Sequence, residues 1–260
     1  RELVELGHVA GWDDPRMPTI SGIRRRGFTP ASIRKFAETV GVARRNGITD
    51  VALLEHAARE DLNKKANRVF GILDPVKLII TNWKEGHTEW VEAKNNPEDE
   101  SAGVREIPFT KELYIDRGDF KEDPPSPKKW YRLGPDREVR LKFGYIIRCT
   151  GFKKNEETGE IEEIYAAYDP ETKSGQDTSG KKVKGTLGWV SATETLQDVE
   201  IRMYDRLFKT ENLNAIDDDF KNHLNEGSLT VNKTAALEST LKTAQVGDIF
   251  QFERIGYFRV

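Results

Sequence analysis

The stretch GWDDPRMPTISGIRRRG, residues 11–27, determines how the helices of the N-terminal part of the chain are separated. Pro15 and Pro18 oppose a helix that would run through it, and no helical spacing of apolar residues is present. Asp13 and Asp14 are residue types that hold turns through local hydrogen bonds. We therefore predict a structured loop between two helices.

Three consecutive arginines, Arg24, Arg25 and Arg26, stand just before the next predicted helix. Cations fixed in this way can bind phosphate groups. Alternatively, some of them pair with Asp13 or Asp14, and the stretch is then a rigid connector. The residues alone leave both interpretations open.

The composition limits the class of protein. The 260 residues are 37% apolar and 33% charged, which predicts small domains with a large polar surface. The lone Cys149 excludes an internal disulfide and fits a reducing compartment, and the four scattered histidines offer no metal-ligand spacing. No apolar run reaches the length of a membrane helix. We expect a cytoplasmic protein without a metal site or a membrane segment.

The charge is unevenly distributed, although the net charge is only −3. Residues 128–154 contain 9 basic and 2 acidic residues, whereas residues 155–180 contain 1 basic and 8 acidic residues. This asymmetry predicts one basic surface, which is typical of proteins that bind nucleic acid.

The N-terminal quarter is predicted to be helical. One helix begins with Thr29 as its N-cap and ends at Gly41. A second helix runs from Asp50 to about Leu62. Both belong to a small helical subdomain over residues 1–65.

The pattern changes after Arg68 to short β-rich runs separated by turns, which is typical of small β-barrels. Residues 139–149 alternate apolar and polar side chains, which predicts one half-buried strand. The run DPPSP at residues 123–127 interrupts any strand and predicts a domain boundary. The chain starts within a helical pattern and ends within a strand pattern, so we expect it to be a fragment of a longer protein.

Catalytic motifs are absent from the sequence. Neither standard glycine-rich phosphate loop is present. The three aspartates at 217–219 lack the glycine spacing of a calcium loop and predict a solvated acidic loop. The chemistry that remains is that of recognition.

The run Lys128, Lys129, Trp130, Tyr131 and Arg132 interleaves cations with aromatic rings. Single-stranded RNA is bound by stacking its bases on aromatic or guanidinium planes. The run is therefore a candidate RNA site. The alternative is that Trp130 belongs to the core and the cations form a solvated surface.

A second candidate lies close to the C-terminal end. Strand alternation places Phe250, Phe252 and Arg254 on one side and Gln251 and Glu253 on the other. The Gln/Glu side would suit the polar edges of bases, and the alternative is an exposed polar face.

Longer motifs give the chain a resemblance to the glutaminyl-tRNA synthetases, which are class I enzymes. Residues 11–27 resemble the segment that follows the second active-site signature of that family. The resemblance covers essentially the whole chain through the motifs REDLN (59–63), LDPVK (73–77), WVSA (189–192), YDRLF (204–208) and FQFER (250–254).

The resemblance implies a mainly β fold with a small α subdomain. It comprises a helical connector (1–65), a proximal antiparallel β-barrel (66–127 and 209–260) and a distal, anticodon-binding barrel (128–208) inserted in the proximal one. It also implies a full-length enzyme that joins glutamine to tRNA(Gln) with ATP and magnesium. The chain alone would hold no cofactor and be inactive, and we expect a monomer. In this context the stretch 11–27 is better explained as a connector than as a phosphate site.

The family resemblance also assigns contacts to single residues. Arg68, Gln251 and Arg254 would meet the middle anticodon base, Arg132 the third base and Arg140 the first base. The full set of candidate anticodon-binding residues is Arg68, Lys129, Trp130, Tyr131, Arg132, Arg140, Gln251, Glu253 and Arg254.

Two positions differ from the family pattern, because bacterial members often carry glutamine at the position of Lys129 and lysine at that of Tyr131. Tyr131 would then stack on a base instead of donating a hydrogen bond. Arg44 and Arg45 fall where the family contacts the tRNA backbone.

Two other functions fit the same sequence. A glutamyl-tRNA synthetase of the archaeal or eukaryotic type shares the architecture, although Met17 and the run Ile20, Ser21, Gly22 favour the glutamine enzyme. A stand-alone β-barrel that binds RNA or protein is the alternative from a different class.

Overall fold

The structure is a computed structural model that describes residues 1–42, 44 and 47–260. Its N-terminal part is helical. The helices, in chain order, are α1 (Glu2–Glu5), α2 (Ile20–Arg26), α3 (Pro30–Val40) and α4 (Val51–Lys65).

Helix α2 corrects the predicted loop, which holds only for residues 11–18. Thr19 is the N-cap, and its hydroxyl oxygen accepts a hydrogen bond from the Gly22 amide at 3.0 Å. Gly27 ends the helix in the left-handed conformation with φ 105°. Pro18 precedes the cap and does not interrupt the helix. Seven residues with Gly22 alone buried are too few to show a helical period.

The other two predicted helices are present. Thr29 caps α3 by accepting a hydrogen bond from the Ser32 amide at 3.1 Å, and Gly41 ends the helix with φ 68°. Asp50 is the N-cap of α4, which extends to Lys65, beyond the predicted end.

Short strands make up most of the remaining chain. They are β1 (Asn67–Val69), β2 (Gly71–Ile72), β3 (Pro75–Ile80), β4 (Glu89–Lys94), β5 (Val104–Phe109), β6 (Glu112–Asp116), β7 (Glu138–Leu141), β8 (Ile146–Lys154), β9 (Ile161–Asp169), β10 (Thr186–Leu187), β11 (Val190–Ser191), β12 (Thr195–Leu196), β13 (Ile201–Tyr204), β14 (Leu229–Asn232), β15 (Ala236–Glu238), β16 (Ile249–Phe252) and β17 (Gly256–Arg259). Single-turn 3-10 helices lie between them at Glu100–Ala102, Arg117–Asp119, Pro127–Lys129, Pro170–Thr172, Leu213–Ala215, Phe220–His223, Glu226–Ser228 and Ser239–Thr243.

A seven-stranded sheet forms the first barrel, in the order β10-β7-β8-β9-β3-β6-β11. Only Gly188 and Trp189 separate its two edge strands in the chain, so the edges lie close together and the sheet is curled. The hairpin of β4 and β5 packs on the same core, which includes the fully buried Leu78, Phe109 and Trp189.

The second group of strands forms three small sheets: β1-β16-β17, β12-β15-β2 and β13-β14. Val69, Ile201, Leu237 and Phe252 form its buried core. The mainly β fold with a small helical subdomain is thus confirmed. The strands are predominantly antiparallel, but β1 with β16, β3 with β9 and β7 with β10 pair in parallel.

Strand pairing divides the chain differently from the predicted boundaries at residues 127 and 208. All strands between residues 75 and 191 pair with one another or pack on one core, and those at 67–72 and from 195 onward pair among themselves, although Ile72 of β2 and Ala236 of β15 also pack on the first core. The proline-rich run 123–127 lies within the first barrel, where Phe120 on one side of it bridges Leu133 on the other. The run is thus a loop between two bridged segments of that barrel, and the domain bounds at 127 and 208 stay a prediction.

The alternating segment 139–149 is a hairpin, not the single predicted strand. β7 and β8 pair antiparallel around a turn in which Phe143 has φ 65°. The Leu141 amide donates to the Tyr145 carbonyl at 2.8 Å. Apolar residues at alternate positions continue through this tight turn, so the sequence pattern does not reveal it.

Candidate RNA-binding site

A cleft of about 320 Å³ lies on the first barrel, at the end of the proline-rich loop. The residues that line it are Lys128, Trp130, Tyr131, Arg132, Arg137, Glu138, Lys184 and Gly185. Cations and aromatic rings from the predicted run therefore line one cleft, and Lys184 and Gly185 line it from a second segment of the chain.

Trp130 is anchored by one edge and covered on its face. Its indole Nε1 donates a hydrogen bond to the Leu133 carbonyl at 2.9 Å. The Lys121 ammonium lies 5.3 Å and the Arg132 guanidinium 5.4 Å from the ring centroid. Trp130 is only partly buried, and it supports cations at the surface instead of filling the core.

Tyr131 is half exposed, with the Lys184 ammonium 5.3 Å from its ring centroid. This contact depends on Gly185, because a Cβ there would lie 2.3 Å from the Tyr131 carbonyl oxygen. Lys184 was not among the predicted site residues. Lys184 ends the short basic run KKVK, residues 181–184, and only the parallel pairing of β10 with β7 brings that run to the cleft.

Arg132 forms an ion pair with Asp119, a residue that the sequence did not indicate. The Arg132 Nε lies 3.2 Å from Asp119 Oδ1, and its NH1 group donates to the Gly118 carbonyl at 2.9 Å. Asp119 also receives Arg254, whose NH1 and NH2 groups donate to its two oxygens at 3.2 and 3.1 Å. Burial raises the pKa of Asp119, although both arginines act in the opposite direction.

Arg254 corrects the predicted alternation. β16 ends at Phe252, and Arg254 lies in the following turn with φ 67°, so it does not continue the side that carries Phe250 and Phe252. Glu253 forms an ion pair with Lys142 of the first barrel. The polar face predicted for Gln251 and Glu253 is therefore split between two different partners.

Arg68 and Gln251 come together as expected for one pocket. They are in register on the parallel strands β1 and β16, and Arg68 Nε donates to Gln251 Oε1 at 2.8 Å. Tyr257 faces Gln251 from β17 and donates to Asn63 of α4. Glu98 approaches the Arg68 guanidinium at 3.5 Å. Arg254, which the resemblance grouped with Arg68, donates to Asp119 and to the Thr186 carbonyl instead.

Arg140 lies outside the cleft and binds the acidic loop. Its NH1 group donates to the Thr172 carbonyl at 2.6 Å and to the Ser174 hydroxyl at 3.3 Å, and its NH2 group reaches Asp177 at 2.6 Å. Lys129 is exposed at the end of its 3-10 turn, next to the cleft.

Arg44 is exposed at a bend after α3. Arg45, the other predicted backbone contact, lies outside the described residues.

The stretch 11–27 is built around a buried carboxylate. Asp14 is 3% exposed, and Arg16 donates to it from Nε at 3.0 Å and from NH2 at 2.8 Å. Arg16 also reaches Ser228 Oγ at 3.1 Å, which links the stretch to the second group of strands. Of the arginine run, Arg25 pairs with the exposed Asp13 at 2.9 Å. These contacts support the connector interpretation.

No group of histidine, cysteine, aspartate and glutamate side chains suited to a metal ion occurs within the described ranges 1–42, 44 and 47–260. In the same part of the chain, every helix is too short or too polar to cross a bilayer.

Comparison with known protein families covers nearly the whole chain. Residues 66–169 and 186–260 match two families described as tRNA synthetases class I (E and Q), anti-codon binding domain. Residues 1–64 match the family described as tRNA synthetases class I (E and Q), catalytic domain. Within these 64 residues, the part that the structure describes contains helices and no strand.

Curated relatives give the same result. The glutamine–tRNA ligase of Rhodopirellula baltica is 54% identical over 100% of this chain and 43% of its own length. The glutamine–tRNA ligases of Bradyrhizobium diazoefficiens and Clostridium perfringens are 47% and 46% identical over 99% and 100% of the chain and 45% and 46% of their own lengths. The chain thus spans less than half the length of these relatives. It belongs to the class I tRNA synthetases of the glutamate and glutamine family, and its residues 66–169 and 186–260 are anticodon-binding domains of that family.

Proposed function

We propose that this chain binds the anticodon loop of tRNA(Gln) as part of a glutamine–tRNA ligase. The observation that carries the proposal is the cleft at residues 128–132 and 184–185, where half-exposed aromatic rings and cations surround a space of about 320 Å³. The names of the relatives, all glutamine–tRNA ligases, support the choice of tRNA.

The cleft offers two kinds of contact to a single-stranded RNA. Tyr131 has an exposed ring on which a base can stack, worth about 1–3 kcal/mol per base. The Arg132 guanidinium can donate two parallel hydrogen bonds to O6 and N7 of a guanine. Around them, Lys121, Lys128 and Lys184 attract the RNA backbone.

A second contact surface is formed by Arg68, Gln251 and Tyr257. The hydrogen bond from Arg68 fixes the Gln251 amide, so that its NH₂ group can donate to a base carbonyl. This surface and the cleft lie on different strand groups. We propose that they read different nucleotides of one loop.

The full-length protein would join glutamine to tRNA(Gln) with ATP and magnesium, in the cytoplasm and as a monomer. We propose that ATP and magnesium bind outside this chain. The helices of residues 1–64, as far as they are described, offer no strand edge or glycine-rich turn for a nucleotide.

Glutamate is the competing specificity, because the matching families include both enzymes. Aminoacylation of tRNA(Gln) and tRNA(Glu) by the full-length protein separates the two. Preferential charging of tRNA(Glu) with glutamate would refute the glutamine assignment.

Binding of tRNA(Gln) to this chain tests the RNA site directly. Affinity should fall steeply with salt, because each neutralised phosphate releases counterions. Arg132→Ala should cost about 1–3 kcal/mol on the normal transcript and little on one whose third anticodon base is changed. Arg148→Ala is the matched control, since Arg148 is exposed on β8 and pairs with Asp136 without an aromatic support. An equal loss for Arg132→Ala on both transcripts would show that Arg132 contacts only phosphate.

A further inference from the structure

Asp119 is the one carboxylate to which two arginines of the candidate site converge, as far as the structure describes them. Asp119 is 6% exposed and is the last residue of the 3-10 turn Arg117–Asp119, which directly follows β6. Its backbone carbonyl accepts a hydrogen bond from the Leu133 amide at 3.0 Å. The carboxylate is therefore fixed to the same segment that carries the cleft.

The two arginines come from distant parts of the chain. Arg132 follows Asp119 by 13 positions, whereas the hydrogen bonds from Arg254 span 135 positions and come from the second group of strands. Both reach the same oxygen, Oδ1, at 3.2 and 3.1 Å. Their guanidinium groups are consequently neighbours, with 42% and 44% of the side chains exposed.

The backbone conformation of Arg254 indicates that the orientation of its side chain is important for the site. A residue other than glycine adopts φ 67° at a free-energy cost. The turn nevertheless aims the side chain across to the first barrel, where Asp119 holds it with two hydrogen bonds. Ion pairs of partly exposed arginines contribute little to net stability, so this arrangement is better explained by the orientation it enforces.

The charges within the cluster do not cancel. Two guanidinium groups share one carboxylate, which leaves a net positive charge at the surface. Each guanidinium carries five N–H donors, and the contacts with Asp119 use only part of them. The remaining donors can bind acceptor atoms of a ligand, and the Arg132 plane is also supported by Trp130.

We propose that Asp119 is a positioning residue that presents Arg132 and Arg254 as one guanidinium pair to two neighbouring nucleotides of a single-stranded RNA loop. The proposal rests on the function proposed above. It differs from the arrangement implied by family resemblance, in which Arg254 acts with Arg68 and Gln251. Reading of the middle and third anticodon positions then depends on one carboxylate that touches neither base.

Asp119→Asn tests the proposal, because it keeps the shape of the side chain and removes its charge. Glu238→Gln is the matched control. Glu238, on β15 of the second group of strands, is 3% exposed and binds Arg105, on β5 of the first group, through two hydrogen bonds of 2.5 and 2.9 Å, so this pair also crosses between the groups but lies outside the candidate site. The dissociation constant of this chain is measured for tRNA(Gln) and for two transcripts, one changed at the middle and one at the third anticodon base.

The wild type should discriminate against each changed transcript about 10- to 100-fold, as expected for a lost arginine–base contact. With Asp119→Asn, both ratios should fall toward one together, and with Glu238→Gln both should stay at the wild-type value. Retention of either ratio by Asp119→Asn would overturn the proposal. A wild type that does not discriminate at all would instead refute the proposed function.

A double-mutant cycle keeps the proposal testable should Asp119→Asn fail to fold. Arg132→Ala, Arg254→Ala and the double variant leave Asp119 in place. If the two arginines act as a unit, the loss of affinity in the double variant is smaller than the product of the single losses. Losses that multiply would show that each arginine acts alone.

Discussion

Asp13 and Asp14 are adjacent in sequence and opposite in environment. Asp14 is buried and accepts hydrogen bonds from the Ala10 amide at 2.9 Å, from the Arg16 amide at 2.9 Å and from the Arg16 guanidinium. The Asp13 side chain is 59% exposed and has one surface ion pair, with Arg25. Asp14→Asn and Asp13→Asn are therefore a matched pair of isosteric changes, one of which should destabilise the protein.

The magnitude follows from the pKa of Asp14. Burial acts to raise it, but the hydrogen bonds from Arg16 and from the backbone outweigh burial and lower it from 3.8 to about 2. Such a shift corresponds to about 2 kcal/mol of folding free energy above the unfolded pKa. Arg16 would in addition lose its buried partner. We expect Asp14→Asn to cost at least about 2 kcal/mol, and Asp13→Asn less than about 1 kcal/mol.

The pH dependence has a defined sign. Because the folded pKa lies below the unfolded value, the contribution of Asp14 is complete above the unfolded pKa of 3.8 and is lost as the pH falls toward about 2. Roughly half of it should be gone at about pH 3. Urea unfolding of the wild type and both variants between about pH 7 and about pH 3 measures this. Equal costs for the two variants, or a difference from wild type that stays constant across this range, would refute the reasoning.

Three further outcomes are expected. Gly22→Ala places a Cβ 2.5 and 2.7 Å from two backbone oxygens and should lower stability by about 1–3 kcal/mol in thermal unfolding, whereas Gly256→Ala, with no atom within 4 Å, should change it by less than about 1 kcal/mol. Arg44→Ala should weaken the binding of different tRNAs alike, as a backbone contact does, and a loss confined to tRNA(Gln) would contradict that. Asp177→Asn should tighten RNA binding at low salt, because it removes a negative charge and weakens the hold on the Arg140 NH2 group, and weaker binding would show that this contact orders the site instead.

Local sequence signals predict the ends of helices but not which strands pair. Thr29 and Gly41 mark the ends of α3 because capping depends on neighbouring residues. The barrel boundary depends on which strands pair, and β3 pairs with β9, about 86 residues farther along the chain. The prolines at 124–127 correctly indicate a loop, but a loop within a barrel and a loop between barrels have the same composition.

The candidate site shows the same limit. The aromatic and basic residues of the cleft adjoin one another in sequence, so their chemistry was visible as a run. Asp119 could not be recognised as a site residue in the same way, since an aspartate after glycine in RGDF is typical of a turn. Nothing in the local sequence reveals that Arg254 binds it. The positive φ of Arg254 also interrupts the alternation from which its direction had been predicted.

The site depends on the packing of the two strand groups as much as on its own side chains. Asp119 and Arg132 belong to the first barrel and Arg254 to the second group, and the ion pair of Lys142 with Glu253 crosses the same boundary. The turn 253–255, which carries Arg254 and Glu253, is therefore fastened to the first barrel at two points. A rotation of one strand group against the other would separate Arg254 from Asp119 while leaving Arg132 on Trp130. Mutations that remove either contact of this turn should accordingly impair RNA discrimination even where no base is touched.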